Sequence, residues 1–180
     1  MAYTLEQFCA DCSATLKKDD THTGRQRIKG LLEKLLAERA FVDKYCGPDA
    51  APGVHTLYKD PETGVHVLAH IYDKPRVSPP HDHGESWAIY GQAIAHTDMT
   101  DWQLTGTNAE RERPDVRPLR SYRLFPGMAG TYDDGKIHSI DYPDKSRFVC
   151  VTGTNLDRID RISIDLKTGE VKQMAAQQAT

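Results

Sequence analysis

The chain has 180 residues, 27% of them charged and 38% hydrophobic, with a formal charge of -3. That length suits one domain with one core, and a mildly acidic balance without a basic block gives nucleic acid or an anionic membrane no electrostatic attraction. No apolar run is long enough to span a bilayer, and the opening MAYTLEQF lacks a basic-then-apolar leader, so the expected location is cytoplasmic.

Two helices are predicted to open the chain. Thr4 with Gln7 three residues on reads as a capping box, and the first helix is expected to run to about Lys17. Leu5, Phe8, Cys9, Cys12 and Leu16 follow helical spacing, which places both thiols on a buried face. Cys9 and Cys12 also spell C-x-x-C, a pattern of redox and zinc sites. Here there is no second C-x-x-C to complete a zinc site, and no strand precedes the motif. After the charged turn KKDDTHTG, the residues Ile28, Leu31, Leu32, Leu35, Leu36 and Val42 repeat at three-four spacing, and Gly47 ends this second helix. Residues 1–47 are therefore expected to form a helical cover with its apolar faces against something else.

From residue 48 the pattern changes. GPDAAPG is a connector, and the runs VHTLY, GVHVLAHIY, SWAIYGQAIAHT, PLRSYRLF, KIHSI, RFVCVTGT and DRISIDL read as short strands. Turn clusters such as KDPETG, YDKPRVSPP, GTNAERERPD and YPDK separate them. Many short strands with regular turns suggest a sandwich or barrel over residues 48–168. Residues 169–180 are expected to be a fraying polar tail of this single domain.

Seven of the eight histidines fall in or beside these strands, and His81 and His83 stand one residue apart in SPPHDHGESWAIYGQ. On a strand, residues two apart point to the same side, so the two imidazoles would project together as two ligands of one metal. Pro79 and Pro80 stiffen the approach, and Gly84 lets the chain bend beyond it. A third ligand would come from a distant strand, and His138 in DDGKIHSIDYP fits that role. A lone His-x-His also occurs as ordinary surface side chains; the proline lead-in and the later LFPGMAGTYDDGKIHSI favour metal. Three neutral imidazoles leave coordination positions open for water, dioxygen or substrate. Iron(II) would permit oxygen chemistry and zinc would activate water, and the residues alone leave both open, with nickel and manganese as further candidates.

PPHDHGESWAIYGQ resembles the first cupin motif, and FPGMAGTYDDGKIHSI resembles the second. The resemblance implies a mainly β fold, a double-stranded β-helix of the jelly-roll kind, behind the two N-terminal helices. Where the common first motif carries a glutamate ligand, Ala88 occupies the region and Glu85 comes too early, which leaves three histidines. A three-histidine cupin with leading helices is similar to the cysteine dioxygenase family of thiol dioxygenases, along a likeness from TLEQF through LYKDPETGVHVLAHIYDKPRVSPPHDHG to KIHSIDYP. It implies His81, His83 and His138 as ligands of Fe(2+), dioxygen and a small molecule as substrates, and oxidation of a thiol to its sulfinate. Three positions depart from the family. His55 stands where members carry a carboxylate-gripping arginine or glutamine. Cys150, Thr152 and Thr154 replace a Ser-His-Tyr set, and Ala88 lies where some members carry a crosslinking cysteine.

Period-two counting supplies further pocket candidates. His66, Leu68, His70 and Tyr72 share one strand face, and the resemblance turns the His70 and Tyr72 side inward. On the ligand-bearing strand Tyr90 and Gln92 are expected to point inward, with His96 beyond them. His55, His70, Tyr72, Tyr90 and Gln92 are therefore the candidate substrate-pocket residues, although barrel histidines and core tyrosines with bonded hydroxyls look the same in sequence. Trp87 is expected to pack, and Trp102 to lie at the barrel edge or a dimer contact. In the basic stretch Arg111, Arg113, Arg117, Arg120 and Arg123, at most one of Arg120 and Arg123 can point inward.

The expected function is that of an iron(II) cupin dioxygenase acting on a small anionic substrate. The rival expectations are a metal-dependent oxygenase, lyase or isomerase of a non-thiol organic acid or aromatic compound, and a non-catalytic metal-binding cupin. A homodimer through strand edges is compatible with a jelly roll.

Overall fold

The structure is a computed structural model that describes residues 2–108 and 113–177, with the side chains of 105–108 and 113–115 left aside. Arg111 and its acidic neighbours Glu110 and Glu112 lie outside the described residues, and so does the side chain of Arg113.

Three helices lead, α1 (Leu5–Lys18), α2 (His22–Leu36) and α3 (Arg39–Cys46). The Thr4–Gln7 capping box is complete, each side chain bonding the other's backbone N–H. The expected second helix is two. Its apolar spacing continues through AERAF without a Gly or Pro, but the chain breaks at Ala37–Glu38, where the Glu38 carboxylate accepts the Tyr3 backbone N–H at 2.9 Å. The break thus coincides with a tertiary contact, absent from any local pattern.

Among the described residues eleven strands follow: β1 (Gly53–Lys59), β2 (His66–Ile71), β3 (Arg76–Val77), β4 (Ala88–Ile94), β5 (Thr97–Asn108), β6 (Arg113–Leu124), β7 (Ala129–Tyr132), β8 (Ile137–Tyr142), β9 (Arg147–Thr152), β10 (Arg161–Ile164) and β11 (Val171–Met174). One sheet runs β1-β2-β9-β4-β7 and the other β3-β8-β5-β6, all pairs antiparallel, with β10 and β11 a separate hairpin. The two antiparallel sheets form the mainly β jelly-roll architecture expected from the sequence. The polar tail is corrected in part, because 171–174 pair with β10 as β11. The short β3 and β7 and the twelve-residue β5 also go beyond the expected strands.

Two apolar layers sandwich the five-stranded sheet. Its outer face (Val67, Ala69, Ile71, Ile89, Val149 and Val151) packs under Phe8, Ile28 and Leu32 of the helices. Its inner face (Ala88, Tyr90, Phe148 and Cys150) meets Met99, Leu124, Tyr132 and Tyr142 inside the barrel. Burial on both faces explains why β9 and nearly all of β4 are buried without alternation, while β2 still alternates. Gly91 of β4 lies under α2, where an added Cβ would meet Leu36 and Leu32 side-chain carbons at 2.6 and 2.7 Å. Trp87 is buried as packing. Trp102 lies on β5 and its indole N–H donates to Ser139 Oγ at 2.9 Å. Among the described residues no helix is long and apolar enough to cross a membrane.

Candidate metal centre

His138 lies on β8, and its backbone exchanges two hydrogen bonds with that of His81, His81 N to His138 O at 2.8 Å and His138 N to His81 O at 2.9 Å. The remote histidine is thus tied to the first of the pair through the main chain. His81 also bridges Ser163 of β10 on its other side. His83 is placed differently from the strand expectation, since residues 82–84 form no strand. Gly84, at φ 58°, turns the chain there. An added Cβ would stand 2.2 Å from the Asp160 carbonyl oxygen, so only glycine suits this turn. Convergence therefore comes from a bridge and a tight turn.

The three rings meet. Their centroids lie 4.6 Å (His81–His138), 4.9 Å (His83–His138) and 5.8 Å (His81–His83) apart. One ligand atom from each falls within 4.8 Å of the other two. His81 Nδ1 lies 2.9 Å from the Pro79 carbonyl oxygen, an acceptor only, so that nitrogen carries the proton and Nε2 keeps a lone pair. Nε2 of His81 faces Nε2 of His138 at 3.2 Å. Burial lowers the basicity of all three, His83 down to about 3 and His138 well below the usual range, and the neighbouring imidazoles and Arg161 oppose a proton further. Neutral rings are the ligating form.

This donor set fits a small cation. Nδ1 of His83 and Nδ1 of His138 are buried without a hydrogen-bond partner among the described residues. Two facing ring nitrogens and two orphaned ones make a poor self-contained polar cluster. An ion among the rings would take up lone pairs that the protein does not satisfy, and imidazole nitrogens suit iron, zinc, nickel or manganese alike.

A cavity of about 230 Å³ opens onto His81 and His83. Three of the five expected pocket residues line it. Tyr90, inward on β4, places its hydroxyl 3.1 Å from His83 Nε2 and touches the Cys150 thiol directly across on β9. His70 and Tyr72 pair through a 3.1 Å contact between His70 Nδ1 and the Tyr72 hydroxyl, and His70 stacks on Phe148 at 4.8 Å. Burial pushes His70 down to about 4 and raises the Tyr72 and Tyr90 phenols, so these groups are neutral near pH 7.

Two expected pocket residues lie elsewhere. His55 pairs in register with Ala69, which faces the helices, so its parity turns it away from the barrel. It is exposed, with Nε2 2.7 Å from the Ala51 carbonyl. Gln92 points inward but is consumed by the fold: its amide donates to Ile94 O and Ser146 Oγ, and its carbonyl accepts from Thr97 Oγ1. His66 and His96 do not line the cavity.

Arginines at this cavity were missed from sequence. Arg161 of β10 and Arg76 of β3 both line it. Of the arginines named from the sequence, Arg113, Arg117, Arg120 and Arg123 lie on β6. Arg120 pairs with Asp101 and Arg123 with Asp98, and neither reaches the histidine cavity. Nothing local in DRISIDL or YDKPRV marks those two arginines, because they reach the site only when β10 and β3 pack beside the bridge at His81.

No family model and no curated protein matches the chain. Among solved structures it is similar to KdgF from Halomonas sp., at 17% identity over 58% of this chain and 82% of that one, with a TM-score of 0.40. It is similar to the cupin domain of Schizosaccharomyces pombe Cnp3, at 13% identity over 60% and 66%, with a TM-score of 0.44. It is also similar to the hydroquinone 1,2-dioxygenase PnpCD in complex with Cd2+ and 4-hydroxybenzonitrile, at 10% identity over 62% and 69%, with a TM-score of 0.46.

Proposed function

We propose that this chain is a mononuclear non-haem iron(II) cupin dioxygenase, similar in its site to cysteine dioxygenases, that oxidises a small anionic substrate. The observation that carries the reading is the convergence of three neutral imidazoles, His81, His83 and His138, beside a small cavity. Iron(II) held there would supply the one-electron and dioxygen chemistry that side chains lack.

The remaining roles belong to the chain. Three neutral ligands leave a divalent charge uncompensated, and Arg161 and Arg76 add to it, so the cavity attracts an anion. The Pro79 carbonyl fixes the tautomer and orientation of His81. Tyr90, neutral and hydrogen-bonding at His83, holds a proton at the cavity wall within reach of a reacting group. Phe148 and the stacked Tyr72–Tyr142 pair, 4.9 Å apart, exclude water from one side.

A specific observation favours a second reading, an oxygenase of a non-thiol organic acid. In place of the thiol family's Ser-His-Tyr set, β9 offers Cys150, buried with its thiol pushed up to about 12, and Thr152, whose hydroxyl donates to the Thr154 carbonyl. Neither can replace an imidazole or a phenol. The deciding experiment is metal analysis of protein purified without added metal, followed by oxygen uptake with cysteine, 3-mercaptopropionate, cysteamine and non-thiol acids. The dioxygenase reading expects about one iron per chain, lost in His138→Ala, and dioxygen consumed with one substrate. Iron without consumption of any thiol removes thiol oxidation and leaves the second reading; neither iron nor turnover removes both.

A further inference from the structure

We infer that the cavity beside the three histidines takes a small carboxylate that carries no ammonium group, gripped by Arg161 and Arg76. The inference rests on reading this cavity as the substrate site, and it excludes amino acids and simple amines from the preferred ligands.

The charge inventory of the wall carries it. Arg161 and Arg76 line the cavity, and among the described residues that line it none is Asp or Glu. Other polar groups on that wall stay uncharged: burial lowers His70 to about 4 and raises the Tyr142 phenol and the Cys150 thiol. Two cations thus face a bound ligand with no anion between them. The second large cavity, about 500 Å³ beside β5, β7 and β8, differs in kind. There Arg120 pairs with Asp101 and His22 with Asp133 on the cavity wall itself.

Arg161 is not neutralised by its own neighbours. Its Nε is buried without a partner, and its ion-pair contact, to the exposed Asp157, is at 4.0 Å. It lies on β10, whose Ser163 bridges His81, which places it at the histidine end of the cavity. Arg76 shares the cavity wall with the Tyr142 phenol, a neutral neighbour that leaves its charge intact. A guanidinium with free donors matches a carboxylate through two parallel hydrogen bonds. An ammonium on the same ligand would be stripped of water against two like charges with no acceptor of opposite sign. At about 230 Å³ the cavity is also smaller than the roughly 300–1,000 Å³ of drug-sized sites, which restricts the ligand to a few carbons.

Matched pairs test this. Succinate against aspartate, and 3-mercaptopropionate against cysteine, differ by one ammonium at similar size. Calorimetric titration would use the metal-free chain and the anaerobic iron-loaded chain. The amine-free member of each pair is expected to bind at least about tenfold more tightly. Arg161→Gln should lower succinate affinity about tenfold or more, while Arg161→Lys, which keeps the charge but not the fork, should recover part of it. Both variants should keep the wild-type melting temperature and metal content. Equal affinity within a pair, unchanged affinity in Arg161→Gln, or no binding in either form of the chain overturns the inference. Selective succinate binding by a chain that holds no iron would keep this inference and remove the oxygenase. One iron per chain without selectivity would do the reverse.

Discussion

His70 shows how much one buried ring can set. It is locked between Tyr72 and Phe148, and burial holds its basicity near 4 against an ordinary 6.5. In the unfolded chain it takes a proton as pH falls through 6.5, whereas the folded chain resists until about 4. The unfolded state therefore binds more protons in that window, and folding loses stability as pH falls across it. His70→Phe should make the urea-unfolding free energy less pH-dependent between pH 7 and 4, by up to about 3 kcal/mol relative to wild type. Parallel pH curves for the two proteins would contradict this. Residue by residue, the three converging histidines were legible because their motif context is strong. His55 was misread because the strand around it gave no indication of which parity faced the barrel. Arg76 and Arg161 were invisible because their role depends on packing between strands far apart in sequence.

At the scale of elements, α2 and β4 meet at a close seam. Gly91 has no Cβ because Leu32 and Leu36 occupy the space. Gly91→Ala is expected to cost roughly 1–3 kcal/mol, since the two leucines must leave their packed positions. The check is a denaturant melt with an unchanged m-value, and wild-type stability would show that the helix layer yields freely. The strands with clear alternation or dense β-branched runs, β2, β4 and β9, were readable. β7 was not, because AGTY looks like part of a turn, and β11 was not, because VKQM is half-exposed and polar and becomes a strand only against β10. The split between α2 and α3 was hidden for a similar reason, as the Tyr3–Glu38 contact crosses 35 positions.

Across the whole molecule, the four cysteines report on closure of both cores. Cys9, Cys12 and Cys46 sit in the layer between helices and sheet, and Cys150 sits inside the barrel. All are free and buried, with Cys9 and Cys150 pushed up to about 12 and Cys46 to about 11 by desolvation. Native protein should show almost no thiol reacting with a disulfide reagent at pH 8, and denatured protein four. Rapid native reaction of one thiol would identify which layer opens. The main-chain tie between His81 and His138 has a larger effect. The scaffold that would hold the cation is closed by the His81–His138 main-chain bonds and the Gly84 turn, so it owes nothing to the cation for its shape. Loading should then resemble docking onto a rigid frame. Calorimetry across several temperatures should find almost no heat-capacity change, and amide spectra of the stripped chain should shift only beside the imidazoles. Such a protein could lose its ion and regain it repeatedly without passing through an unfolded form.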